Sequence, residues 1–406
     1  MEQELFDANS LYRAYKAAVK ASPLKPQTQK FALDWLHNIA VLRERLNKGT
    51  YVPSKKIQFI IRERGKVRLI RASPMPDKVV QHAFCDDVLL PCIKPKLIYD
   101  NYASLPGRGV VMARKRFELM VHRFYRKHRT NQGYILLMDF SGYYDNLWHS
   151  LVFATMSKCI ASDGNIRLLK TIIASCRKDV SFLSAEEISK LYYGKYKALD
   201  YANIPKEKLT GEKYLYKGLD IGDQVAQIAA IYFPTPMDNY IKIVRGEKFY
   251  GRYMDDSFIL SESKEHLIEL LKEIKAITSR LGIILNDNKV KILPLFKTFS
   301  FLQIKYFLTP TGKLVKRINP KRLTAMRRKL KKLSLKVKSG ERDYELVRNL
   351  FGGWSKDFYR LMSKKQRQNM NELYKELFSK EEAEYEKSVQ IRPKYRQIYW
   401  RDRSRG

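Results

Sequence analysis

The first fifty residues space their apolar positions with the period of a helix. "LYRAYKAAVKA" and, after the break at "SPLKP", "TQKFALDWLHNIAVLRERL" each predict an amphipathic helix. From Tyr51 the pattern turns extended, and "KKIQFIIRERGKVRLIRAS" predicts two strands around a turn at Arg64-Gly65. "DKVVQHAFCDDVLLPCI" returns to helical spacing, and "GRGVVMARKRFELMVHRFYRKH" predicts a basic amphipathic helix. "GYILLMDF" is an unbroken apolar run too short for a helix of its own. It predicts a buried strand ending at Asp139.

Residues 176–217 are polar and rich in Tyr and Lys, with no clear period. A helix is expected over 223–245, then a hairpin in "FYGRYMDDSFILS" (249–261), then the helix "SKEHLIELLKEIKAITSRLG". "KILPL" and "TFSFLQIKYFLT" predict strands. From Thr311 onward 28 Lys and Arg face 11 Asp and Glu, so that stretch, with "KRLTAMRRKLKKLSLKVK", reads as a basic helical subdomain. No internal repeat is visible. Mixed strands and helices with a long crossover between acidic strands predict an α+β fold.

At 406 residues and 45% hydrophobic, the chain can build a core shared among two or three subdomains. Its 78 Lys and Arg against 42 Asp and Glu leave a net charge of +36, which implies a polyanionic partner. Nucleic acid fits better than a membrane surface, because the cations run along the whole chain and no apolar stretch approaches the ~20 residues that span a bilayer. The start, "MEQELFDANSLYRAYK", lacks the layout of a secretory signal. Cys85, Cys92, Cys159 and Cys176 show no CxxC spacing, so reduced thiols in a cytoplasmic protein are expected, not a zinc site.

Asp255 and Asp256 stand in the middle of a strand-like run, where two neighbouring carboxylates resist burial unless something positive neutralises them. Asp139 ends the other apolar strand. Side by side, the two strands would bring three carboxylates into one small volume. Such an oxygen cluster suits Mg²⁺, and two ions there would clamp the attacking and leaving oxygens of phosphoryl transfer. Two adjacent aspartates alone are as compatible with a surface turn. The upstream Asp-ended strand and the very basic chain favour the metal site.

In order over about 300 residues, these segments resemble a reverse transcriptase of bacterial type. "YMDD" at 253–256 resembles the family's YxDD signature, and "MDFSGYYDNL" its motif A, which implies Asp139, Asp255 and Asp256 as catalytic metal ligands with the Phe140 carbonyl beside them. "KGLDIGDQVAQIAAIY" resembles motif B, placing Ile221, Gly222 and Gln227 near the nucleotide and template. "LGIILNDNKVKI" resembles motif D, whose lysine, here Lys289, is implied as the proton donor to the leaving pyrophosphate. "FSFLQIKYF" resembles the primer-gripping hairpin, and "GKVRLIRASPMPDKVVQHAF" and "NYASLPGRGVVMA" resemble finger motifs.

The resemblance implies a right-hand polymerase: an N-terminal helical region (1–50), fingers (51–132), a palm with an antiparallel sheet (133–310, with 176–217 as a fingers or insertion segment), a basic helical thumb (311–378) and a basic tail (379–406). Lys66 and Arg68 are expected to hold the incoming triphosphate, and Tyr144, with Tyr143 an equal candidate by type, to exclude a 2′-hydroxyl. Arg108 and the thumb residues Arg327, Arg328, Lys331 and Lys332 are expected to contact nucleic acid. Asp145 gives a D-x5-D spacing seen in RNA-dependent RNA polymerases, which carry GDD instead of YMDD. Motif B departs from the family pattern at Asp220, Ile221 and Ala226; an aliphatic residue at the Ile221 position resembles diversity-generating retroelement enzymes, where it goes with error-prone copying.

The expected activity is RNA-directed DNA synthesis with two Mg²⁺ ions, Mn²⁺ substituting, on a 3′-hydroxyl primer, using dNTPs and an RNA template, with no membrane partner. With no RNase H or zinc endonuclease evident after the thumb, a small enzyme copying a dedicated noncoding RNA in anti-phage defence is the leading expectation. Retron and diversity-generating retroelement enzymes, a template-independent or protein-primed DNA polymerase, and a non-catalytic RNA-binding or splicing helper are the alternatives.

Overall fold

A computed structural model describes residues 5–63 and 66–390, except for the side chains of Ala21, Glu63, Lys66 and 388–390. The Arg64-Gly65 turn and most of the tail expected at 379–406 lie outside the described residues. The chain divides into two compact units, 1–294 and 295–406.

In the first unit, helices Ala8–Ala21, Pro26–Leu33 and Trp35–Asn47 precede an antiparallel hairpin of β1 (Ile57–Glu63) and β2 (Lys66–Ala72), in register from Ile57↔Ala72 to Glu63↔Lys66. Helix Val110–His128 buries Ala113, Phe117, Met120, Val121 and Phe124, the stripe its helical period predicts. After it come β3 (Tyr134–Met138), β4 (Lys178–Asp179), β5 (Tyr214–Leu215), β6 (Tyr250–Tyr253), β7 (Asp256–Ser261) and β8 (Lys291–Pro294). A four-stranded antiparallel sheet forms in the order β6-β7-β3-β8. β3 is central and its run of Ile135, Leu136 and Met138 is buried, as a strand covered on both faces requires. Phe117 meets Phe258 edge to face at 4.8 Å, so the long helix covers one side of this sheet.

The helix expected over 223–245 is interrupted. It runs Gln224–Tyr232, stops at Phe233 and restarts as Thr235–Asn239, followed by a wider π-type turn over Tyr240–Val244. Pro234 is the cause, because proline has no N–H to give the carbonyl of Ala230. That carbonyl accepts the Tyr143 hydroxyl at 2.8 Å.

Residues 176–217 form a small folded lobe. Val180, Tyr196 and Leu215 make its core, β4 pairs with β5, and helix Ala185–Tyr193 is fixed by its ends. Ser184 and Glu187 form a capping box at its start. At its C-terminus the buried Lys217 ammonium donates to the carbonyls of Leu191, Tyr192 and Gly194, at 3.2, 2.9 and 2.5 Å.

The second unit opens with β9 (Phe299–Phe301), β10 (Ile304–Leu308) and β11 (Leu314–Ile318), an antiparallel sheet in the order β11-β10-β9. "TFSFLQIKYFLT" is thus two strands, turning at Leu302 and Gln303, both left-handed at φ 44° and 72°. The basic stretch from Thr311 begins with β11 before becoming helical over Pro320–Lys338, Tyr344–Phe358 and Lys364–Gln390. Leu314 and Ile318 are buried at its two ends and Lys316 and Arg317 exposed between them, an edge-strand pattern that charge counting overlooks. The three helices close on Leu330, Val347, Phe351, Met370, Tyr374 and Phe378, with Phe351 stacked on Tyr374 at 4.3 Å.

Candidate active site

Strand register brings the distant aspartates together. β3 and β7 are antiparallel, ending in the pair Met138↔Ser257, so one step further sets Asp139 opposite Asp256. Opposed residues in such a ladder stand about 5 Å apart. Tyr253 pairs with Asp256 across a two-residue turn of Met254 and Asp255, and Met254 takes a left-handed φ of 55°. A non-glycine residue there costs on the order of 1–3 kcal/mol, which surrounding contacts must offset.

Asp139 is nearly buried. Its Oδ2 accepts from Lys289 Nζ at 2.6 Å and Asn286 Nδ2 at 3.2 Å, and its carbonyl accepts the Asn286 N–H at 2.8 Å. Phe140, buried, bridges Leu285, and the Ser141 N–H donates to the Ile284 carbonyl at 2.7 Å. The segment carrying Lys289 is therefore laid along the end of β3.

The two candidate aromatic residues separate. Tyr143 is buried and its hydroxyl is committed to Ala230. Tyr144 is half-buried; burial raises its hydroxyl pKa, the Asp255 carboxylate raises it further, and Arg68 of β2 pulls it back. Asp255, Tyr144 and Arg68 thus share one electrostatic neighbourhood, linking the hairpin β1–β2 to the four-stranded sheet. Lys66 begins β2, but its side chain lies outside the described residues. Asp145 faces the 176–217 lobe instead, accepting from the Ala198 N–H at 3.3 Å.

Gly222 is left-handed at φ 116°, and a Cβ there would lie 3.5 Å from Ile70, so the loop holding half-buried Ile221 rests on β2. Exposed Gln227 donates to Ser104 Oγ at 2.5 Å. Arg108 gives its guanidinium to the Asn101 carbonyl and stands 5.7 Å from the Tyr99 ring. In the second unit, Arg328, Lys331 and Lys332 are exposed on helix Pro320–Lys338 and Arg327 is half-buried, opposite the buried Leu323, Met326, Leu330 and Leu333.

Two arrangements were missed in the sequence. One is an ionic knot under the Ile221 loop. Lys56 Nζ lies 2.8 Å from Asp220 and 2.5 Å from Asp223, Arg71 is 3.2 Å from Asp220, and Lys178 also bonds Asp220. Burial raises the Asp220 pKa, but Lys178, Lys56 and Arg71 outweigh it and hold the carboxyl at about 2. Cys176, Asp220 and Asp223 could together surround an ion by distance alone, yet the Lys56 ammonium, 3.4 Å from the Cys176 sulfur, already fills that position. The second is Arg252, wholly buried beneath the Met254–Asp255 turn. A charge between Gly251 and Tyr253, inside an aromatic-rich strand run, was its only signal.

The β3–β7 register sets the backbones of Asp139, Asp255 and Asp256 at one end of the sheet, and their carboxylates are hard oxygen donors, with the Lys289 ammonium already on Asp139; among the described residues the trio whose donor atoms lie within 4.8 Å of one another is Cys176, Asp220 and Asp223 instead. This donor set fits Mg²⁺. The family model for reverse transcriptase (RNA-dependent DNA polymerase) matches residues 52–306. The chain belongs to the reverse transcriptase family. The match runs from before β1 into β10, taking in the four-stranded sheet and the β1–β2 hairpin of this reverse transcriptase. Among solved structures, a telomerase from Candida albicans in complex with a fragment of telomeric RNA is similar at 11% identity and TM-score 0.43, over 66% of this chain and 46% of that one. An apo telomerase from Candida tropicalis, truncated of its C-terminal domain, is similar at 13% identity and TM-score 0.40, over 64% of this chain and 54% of that one. The chain thus spans about half the length of these telomerases. No curated protein matches the sequence. Among the described residues no helix is long and apolar enough to cross a membrane.

Proposed function

We propose that this reverse transcriptase copies RNA into DNA, adding dNTPs to a primer 3′-hydroxyl at the Asp139–Asp255–Asp256 edge of the palm sheet. The observation that carries this reading is the β3–β7 register, which sets Asp139 beside the YMDD turn with Lys289 on its carboxylate. Two Mg²⁺ ions held by Asp139, Asp255, Asp256 and the Phe140 carbonyl would stabilise charge on the attacking and leaving oxygens. Around them Arg68 neutralises the triphosphate, Tyr144 closes the space where a 2′-hydroxyl would lie, and Lys289 gives a proton to the departing pyrophosphate. Gly222 lets the Ile221 loop lie against β2, where Ile221 would flank the templating base. Arg328, Lys331 and Lys332 would track duplex phosphates.

The finer reading is a bacterial enzyme of the defence type that copies a dedicated noncoding RNA. It is supported by the motif resemblance, by the departures at Asp220 and Ile221, and by the net charge of +36. Primer extension by purified protein on RNA, on DNA and without template, in Mg²⁺ and with each single nucleotide, tests the activity. RNA-dependent extension that falls about 10³-fold or more in Asp255→Asn is expected, since several kcal/mol of charge stabilisation are removed. Extension independent of added or co-purified RNA, or normal polymerisation by Asp255→Asn, overturns it. Sequencing the RNA that co-purifies tests the template.

A further inference from the structure

Tyr250, Gly251 and Arg252 lead into the catalytic turn, and Arg252 has no exposed surface at all. Its guanidinium is divided among three partners. Nε and Nη2 donate to Asp238 at 2.8 and 2.6 Å, Nη2 also donates to the Ile231 carbonyl at 2.8 Å, and Nη1 donates to the Met254 carbonyl at 3.0 Å. Asp238 is equally buried and takes a further bond from the Tyr250 hydroxyl at 2.5 Å. The Arg252 backbone is fixed too, donating to the Asp100 carbonyl and accepting from the Tyr102 N–H, both at 3.0 Å. Gly251 makes room for this, because a Cβ there would stand 2.6 Å from the Tyr102 hydroxyl.

The break at Pro234 explains why these partners are available. The carbonyl of Ala230 loses its helical partner there and receives Tyr143 from the motif A turn, and the next carbonyl, Ile231, receives Arg252 from the strand before YMDD. The restarted helix Thr235–Asn239 turns the Asp238 carboxylate toward Arg252. One broken helix end therefore collects both metal-bearing segments. A fully buried ion pair adds little net stability against well-packed apolar residues, so its worth lies in what it orients. What it orients is the carbonyl of left-handed Met254, immediately before Asp255.

We propose that Arg252, braced by Asp238, is a positioning residue that fixes the Met254–Asp255 turn in the conformation that captures metal. The proposal rests on the metal-site reading above. The test is Mn²⁺ binding, followed by electron paramagnetic resonance, to the full-length protein and to two variants. Arg252→Lys keeps a charge against Asp238 but has no fork to reach Met254 as well, and Arg252→Met with Asp238→Leu removes both charges together. Circular dichroism and urea unfolding establish that each variant is folded. The expected result is folded protein in which the Asp255-dependent Mn²⁺ site is weakened about 10–100-fold, as for other residues that orient metal ligands. Folded variants that bind Mn²⁺ as the wild type does overturn the proposal, and so does failure of both variants to fold, which would make Arg252 a pillar of the core. A wild-type protein with no Mn²⁺ site sensitive to Asp255→Asn sinks the underlying metal-site reading instead.

Discussion

The ammonium of Lys289 stands 2.6 Å from Oδ2 of Asp139, on the carboxylate that the family resemblance assigns to metal. Lys289 is half-exposed, so it is a counter-ion that can leave as well as a bond that holds. A cation approaching Asp139 must compete with it. Lys289→Met should therefore tighten Mn²⁺ binding about fivefold, the scale of a partly exposed ion pair of roughly 1 kcal/mol. The same change should slow single-turnover nucleotide incorporation by about 10²-fold, the usual worth of a general acid. Opposite movements of affinity and rate are the signature. If both fell together, Lys289 would be holding Asp139 in place rather than competing for it.

Tyr143 and Tyr144 are adjacent, yet Tyr143 is buried and bonded to Ala230 while Tyr144 is half-buried beside Asp255. Tyr144→Ala should reduce discrimination between deoxy- and ribonucleotides by about tenfold or more, measured as the ratio of kcat/KM values. Tyr143→Phe should leave that ratio unchanged and cost about 1 kcal/mol of stability, because it deletes only the bond to the Ala230 carbonyl. Equal sugar selectivity in wild type and Tyr144→Ala would remove Tyr144 from the gate.

The palm was legible because its signals are local. The apolar runs Tyr134–Met138 and Phe258–Leu260 specify strands, β3 stopping just before Asp139 and β7 starting at Asp256. The 176–217 lobe was not legible, since helix Ala185–Tyr193 has no buried face of its own and is held at both ends by single side chains. Caps supplied by a residue as distant as Lys217 leave no periodicity. The helix expected over 223–245 ran through Pro234, whose missing N–H is the local signal for the break. Asp220 drew notice as a departure from the motif, while its partners Lys56, Arg71 and Lys178 look like ordinary surface cations until the fold gathers them.

Those partners make Asp220 the keystone between the β1–β2 hairpin and the Ile221 loop. Asp220→Ala would leave Lys56, Lys178 and Arg71 around the single carboxylate of Asp223, and removing one side of a buried ionic cluster costs about 3–5 kcal/mol. The acid dependence follows in sign. A carboxyl held at about 2 contributes stability that is present above its ordinary pKa near 4 and is lost as pH falls through about 2. Urea unfolding of wild type and Asp220→Ala at pH 7 measures the loss. A loss under 1 kcal/mol would mean the knot is solvated and loose.

His149 gives a second dependence, in a milder range. Its Nε2 lies 2.8 Å from the Gly218 carbonyl and so carries the hydrogen, while buried Nδ1 has no partner among the described residues. Burial pushes the imidazole down to about 4, with the bond to Gly218 opposing. The unfolded chain takes up this proton near 6.5 and the native protein does not until about 4. Between those values the unfolded state binds more protons, so stability falls as pH drops from 6.5 to 4, by at most about 3 kcal/mol from this group. His149→Gln keeps an N–H donor for Gly218 without the titration. Urea midpoints at pH 7 and 4.5 should therefore separate more in wild type than in the variant. Parallel losses in the two proteins would show that the acid sensitivity arises from other groups and that His149 already titrates freely in the folded chain.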